Sequence, residues 1–161
     1  MKIKGVNQED FVNYKLPSMY LATSFCTFKC EKECGIECCQ NSLLADPSTI
    51  PIEVSDDSII ERYIQNPITK SIVFGGLEPL DQFDELMEFI DRLRNHYKVM
   101  DDVVIYTGYK YEEVADKIEK IKVFKNIVVK YGRYIPNQEK HYDEVLGVQL
   151  ASPNQYAERY D

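Results

Sequence analysis

Ser71-Ile72-Val73-Phe74-Gly75-Gly76-Leu77-Glu78-Pro79-Leu80-Asp81 is the stretch from which the fold is read. Ser71 to Phe74 is a short apolar run of the buried-strand type, and it leads straight into two glycines. Beyond them Asp81 is placed to cap a helix to about Tyr97, with Phe83, Leu86, Met87, Ile90, Leu93 and Tyr97 on one face. The same strand–turn–helix order then repeats. Val103 to Tyr106 is a strand ending in Thr107-Gly108, a helix follows from about Tyr111 to Ile121, and Ile127 to Lys130 is another strand. Upstream, Met19 to Phe25 is a β-prone run that ends at Cys26. Ser55 is placed to cap a helix carrying Ile59, Ile60, Tyr63 and Ile64, which stops near Asn66-Pro67. Leu146 to Ala151, after an irregular stretch through Pro136, reads as a last strand.

Apolar strands alternating with helices predict an α/β fold with a mostly parallel sheet. Four or five strands are too few to close an eight-stranded barrel, so the expectation is an open partial (β/α) barrel of mostly parallel strands, residues 1–161 forming one domain. Three chemically suggestive segments fall at strand C-termini: a cysteine loop after the first strand, Gly75-Gly76 after the second, and Thr107-Gly108 after the third. Parallel α/β sheets bind ligands at that edge.

All five cysteines lie in the stretch from Cys26 to Cys39, at positions 26, 30, 34, 38 and 39. The N-terminus has no apolar run behind its lysines and no segment is long enough to span a bilayer, so the expected setting is cytoplasmic. Thiols stay reduced there, and clustered cysteines bind metal more often than they form disulfides. A net charge of −8, from 19 basic and 27 acidic residues, argues against a nucleic-acid binder. The lysines between Lys110 and Lys130 alternate with glutamates and read as a solvated helix face. Cys26 and Cys30 stand three residues apart, unlike the two-residue knuckle of structural zinc sites, and His96 and His141 are distant in sequence. An iron–sulfur cluster is the favoured reading, with zinc held by four of the five thiolates as the competitor.

The three-residue gap after the first cysteine, behind a first strand, together with Cys39-Gln40-Asn41, resembles the cluster loop of radical S-adenosylmethionine enzymes. More narrowly it is similar to the activating proteins of anaerobic ribonucleotide reductase. The resemblance implies a [4Fe-4S] cluster on Cys26, Cys30 and Cys39, with one iron left open for S-adenosylmethionine. Eight residues rather than two separate Cys30 from Cys39, so Cys38 and then Cys34 are alternative third ligands. Gly75-Gly76-Leu77-Glu78-Pro79 resembles the family's Gly-Gly-Glu-Pro motif with Leu77 inserted. That implies Gly75, Gly76 and Glu78 at the amino end of S-adenosylmethionine; a tight turn is the plain alternative.

Tyr106-Thr107-Gly108-Tyr109 resembles the family's third-strand motif and implies Thr107 near the ribose or carboxylate, against a simple capping threonine. Ser152, Asn154 and Gln155 match a segment at the site's edge, or else form a polar turn. Arg133 is either a carboxylate or partner contact or a surface arginine, and Phe28 packs over cluster or adenine or anchors the loop. His96 is expected in a last helical turn and His141 exposed.

The resemblance implies a glycyl-radical-enzyme activase. It would cleave S-adenosylmethionine reductively and generate a glycyl radical on a partner anaerobic ribonucleoside-triphosphate reductase, fed by reduced flavodoxin or ferredoxin, with no acid–base residue, nucleic acid or membrane. The alternatives are a small radical enzyme acting on a small molecule or peptide, and a non-catalytic zinc or iron–sulfur module.

Overall fold

The computed structural model describes residues 1–161. Its strands and helices are β1 (Lys2–Asp10), β2 (Ser18–Thr23), α1 (Lys29–Cys34), α2 (Ser42–Ala45), β3 (Ile52–Glu53), α3 (Asp56–Gln65), β4 (Ser71–Gly76), α4 (Phe83–Asp91), β5 (Asp102–Tyr106), α5 (Tyr111–Ile121), β6 (Ile127–Tyr131), β7 (His141–Asp143), β8 (Val148–Leu150) and β9 (Tyr156–Tyr160). Seven strands form one sheet in the order β3-β1-β2-β4-β5-β6-β9. The central four, β2-β4-β5-β6, are parallel, while β1 and β3 on one side and β9 on the other join antiparallel. The fold is therefore α/β with a mostly parallel central sheet, open because β3 and β9 are its edges. No helix is long and apolar enough to cross a membrane.

The parallel strands are buried on both faces, which is why they read as continuous apolar runs. Ile72, Phe74, Val103, Ile105, Ile127 and Val129 point toward α3, α4 and α5 and meet Ile60, Leu86, Phe89, Leu93, Ile118 and Ile121 in a large apolar core. Each such aliphatic or phenyl side chain contributes about 1.5–3 kcal/mol by leaving water. On the opposite face Val73, Val104 and Val128 form a smaller core with Tyr14, Leu146, Leu150 and Ala157.

Ser55 does cap α3, its hydroxyl accepting from the Ser58 amide at 3.1 Å. The single helix expected from Asp81 to Tyr97 is instead three pieces. A 3-10 turn spans Pro79–Gln82, α4 follows, and a π turn covers Arg92–His96. Asp81 does not cap it. The carboxylate of Glu78 accepts from the Leu80 amide, and that of Asp81 turns away to the Thr27 amide (3.1 Å) and the Tyr109 hydroxyl (2.7 Å). At the π turn the buried Arg94 guanidinium gathers the carbonyls of Val99, Lys125 and Asn126, tying the helix end to the loops before β5 and β6.

The segment Leu146 to Ala151 is not a strand of the main sheet. Val148–Leu150 pairs with His141–Asp143 in a two-stranded hairpin over the smaller core, and the seventh position of the main sheet belongs to β9. His141 is in that hairpin rather than free in solvent, half-buried, with Nε2 2.7 Å from the Gln155 carbonyl.

Candidate cluster site

The strand-end segments meet. A cavity of about 210 Å³ opens at the C-terminal ends of β2, β4, β5 and β6. Its wall includes Cys26, Cys30 and Cys39 with Phe28, then Gly75, Gly76 and Glu78, then Thr107 and Gly108, and finally Lys130 and Gln155. Cys34 and Cys38 lie outside it.

The cysteine loop is hooked at both ends to the end of β4 and the segment that follows it. At the outgoing end the Phe25 carbonyl accepts from the Glu78 amide at 2.8 Å, and the Ser24 amide and hydroxyl donate to Gln82 Oε1. At the returning end the Asn41 side-chain amide donates to the Gly76 carbonyl, and the Cys39 amide donates to Glu31 Oε1 at 3.1 Å. Asn41, two residues after Cys39, thus fastens the returning chain onto the glycine strand end. Phe28, the residue just before α1, lies in the left-handed region (φ 55), a costly conformation for a phenylalanine, and this turn directs its amide to Cys26 Sγ at 3.2 Å.

The glycines are where a side chain would collide. A Cβ on Gly76 (φ 84) would lie 2.7 Å from Ala22 Cα, and one on Gly75 would lie 2.6 Å from the Tyr20 hydroxyl. One on Gly108 would lie 3.3 Å from Cys30 Sγ, so this glycine lets the cysteine approach the end of β5. Glu78 is buried and its two carboxylate oxygens accept from the amides of Leu80 (3.1 Å) and Gly108 (2.8 Å). It therefore ties the ends of β4 and β5 together as well as lining the cavity. Burial pushes its carboxyl up to about 7 despite those amides and the Thr107 hydroxyl. Thr107 Oγ1 accepts from the Tyr109 amide at 3.0 Å, a local turn two residues long rather than a helix cap, since Lys110 is the residue that precedes α5.

Two charged groups are more buried than a reading as surface charges allows. Lys130 belongs to no solvated face: it is buried in β6, opposite Tyr106, with Nζ donating to the Gly132 carbonyl at 2.9 Å and no carboxylate in salt-bridge range. Burial lowers its pKa to about 8, while Cys30 and Glu78 act to hold the charge in place. A lysine inside Ile-Val-Val-Lys-Tyr was the available signal, since a strand buried on both faces rarely spends a position on an ammonium. Arg133 is likewise not a surface arginine. Its side chain is 5% exposed, forked onto Glu113 at 2.6 and 2.7 Å, with Nε 2.9 Å from Glu33 and a hydrogen bond to the Gly108 carbonyl. Nε has no aligned hydrogen bond, so the Glu33 contact is Coulombic only.

Of the C-terminal residues, Gln155 lines the cavity and Ser152 and Asn154 do not. Ser152 is fully buried with an unpartnered hydroxyl, and Asn154 is exposed, donating to the Arg133 carbonyl at 2.9 Å.

No three His, Cys, Asp or Glu side chains converge closely enough to hold a single metal ion. A cubane asks for less, because each thiolate binds a different corner iron rather than one shared point. Three thiols on one cavity wall, beside a buried ammonium that lacks a counter-anion, suit an anionic cluster. Burial raises the Cys26 thiol to about 11 and also raises Cys39, so loading a metal must displace protons.

A family model described as a 4Fe-4S single cluster domain matches residues 18–152, most of the chain. The chain belongs to this family. The single-cluster domain is thereby an iron–sulfur protein, and the matched span begins with β2 and ends after β8. Searches of curated proteins and of solved structures gave no match.

Proposed function

We propose that this single-cluster domain is a radical S-adenosylmethionine enzyme of the glycyl-radical activase kind, with Cys26, Cys30 and Cys39 holding a [4Fe-4S] cluster. One observation carries the reading: the cavity lined by these three cysteines is also lined by Gly75-Gly76, Thr107-Gly108 and buried Lys130, while the other two cysteines stand outside. Three thiolates leave one iron of a cubane without a protein ligand, the open position that a catalytic metal needs. When bound, the cluster supplies the electron that splits a carbon–sulfur bond of S-adenosylmethionine.

The chain's own contribution is placement. Gly75 and Gly76 allow a ligand to approach the end of β4, and the Glu78 carboxylate on the same wall would receive its ammonium. Thr107 and Gln155 offer polar contacts, and Phe28 an apolar one, along the same wall. Ser152 and Asn154 hold the turn between β8 and β9 and would reach the ligand only indirectly. The Lys130 ammonium offsets the negative charge of a thiolate-bound cluster and its ligand.

The partner in this reading is an anaerobic ribonucleoside-triphosphate reductase carrying the target glycine, and the electron donor a reduced flavodoxin or ferredoxin. Anaerobically reconstituted protein with a strong reductant should convert S-adenosylmethionine to methionine and 5′-deoxyadenosine. Adding the reductase should produce a glycyl radical signal by electron paramagnetic resonance. Iron-loaded protein that forms no 5′-deoxyadenosine would refute the proposal.

A further inference from the structure

Cys34 and Cys38 are left over from the cavity and have found each other. Their sulfurs stand 2.8 Å apart, both half-buried, neither bonded to the other. The backbone between them is arranged for that meeting. Cys34 ends α1, Gly35 takes the left-handed conformation (φ 72) with its amide on the Glu31 carbonyl, and Cys34 Sγ lies 3.4 Å from the Ile36 carbonyl inside the resulting turn. This turn folds the chain back so that the fifth residue of the ring meets the first. The segment bears no hydrogen bond to the β4 end, unlike the two arms on either side of it.

We propose that Cys34 and Cys38 form a dithiol redox site that is separate from the cluster ligands and takes low-molecular-weight disulfides as its oxidant. One thiolate attacks a sulfur of the small disulfide, breaking its S–S bond and releasing one thiol. The second cysteine then attacks the mixed disulfide, forming the Cys34–Cys38 bond and releasing the second thiol. The two cysteines lose two electrons in total, the small disulfide gains them, and the two cysteine protons leave on the two released thiols. The exchange needs no S-adenosylmethionine and no radical step. Its product locks the backbone immediately before Cys39 and withdraws two competing thiols, leaving Cys26, Cys30 and Cys39 as the available donors.

The test treats anaerobic, iron-loaded protein with oxidised glutathione, quenches it in an alkylating denaturant with an iron chelator, and maps the cysteines by mass spectrometry. The expected result is an internal Cys34–Cys38 disulfide, alkylated Cys26, Cys30 and Cys39, unchanged iron content before the quench, and five alkylated cysteines after dithiothreitol. Cys34→Ser should keep its iron and show no internal link. Cys38→Ser should do the same. Five alkylated cysteines in the treated wild type, a disulfide that includes Cys26, Cys30 or Cys39, or loss of iron in either serine variant would overturn the proposal. Because thiols and iron are read directly, failure here is distinct from failure to cleave S-adenosylmethionine.

Discussion

The two faces of the sheet are built on opposite principles. The face under α3, α4 and α5 is a continuous apolar layer in which Phe74 meets Phe89 edge to face at 5.2 Å. The other face has a much smaller apolar core and, at the strand ends, carries buried Glu78, Thr107 and Lys130 around a cavity. Removing polar groups from water costs free energy, and the helix-covered face supplies the surplus that lets the other face carry that cost. Stability and chemistry are thus separated by the thickness of one strand, with Val129 and Lys130 as neighbours on opposite sides.

Substitutions should respect that division. The largest expected effect on folding is on the helix-covered face: Phe89→Ala should lower the unfolding free energy by about 3–5 kcal/mol in a denaturant titration. A loss under about 1 kcal/mol would mean that this face is not the stabilising one. On the cavity face the sign should reverse. Lys130→Met removes a buried ammonium and should raise the stability of the metal-free protein by on the order of 2 kcal/mol at pH 7. It should also weaken cluster loading and lower the cluster's reduction potential. Equal loading and unchanged potential would show that the charge does not act on the cluster.

Gly76→Ala lies where the two faces join the loop. A left-handed backbone and the clash with Ala22 predict a loss of more than about 1 kcal/mol by thermal melt, along with poorer iron uptake. The smallest effect is electrostatic. The Arg133 guanidinium holds the Glu113 carboxyl down to about 2, below its value in the unfolded chain, so the pair stabilises the fold above about pH 4.5 and loses that contribution as pH falls toward 2. Glu113 is largely solvated, so Glu113→Gln should flatten the acid limb of the stability profile by less than about 1 kcal/mol. An identical acid limb in the variant would show that the pair contributes nothing.

The helix-covered face was legible in the sequence because its side chains repeat at helical or strand spacing: Ile59, Ile60 and Tyr63 on α3, and Leu86, Ile90 and Leu93 along α4 and the π turn, though Phe89 beside them was not picked out. The convergence of Cys26, Gly75 and Thr107 was legible too, since parallel strands bring their C-terminal ends to one edge. The antiparallel strands that flank the parallel four were not. In β1 only Ile3 and Asp10 are buried and in β9 only Ala157, so neither carries an apolar alternation to read. The role of Asp81 was hidden because its partners, Thr27 and Tyr109, are distant in the chain, and helix-cap rules see only the next few residues. Lys130 and Arg133 look like any other surface charges until their neighbours are known.

The division of the five thiols into three ligands and a separate pair is best tested by the iron content per chain of the five single Cys→Ala variants, reconstituted anaerobically. Iron should be lost on substitution of Cys26, Cys30 or Cys39 and stay near the wild-type level on substitution of Cys34 or Cys38. Full iron without Cys39, or loss of iron without Cys34 or Cys38, would contradict that division.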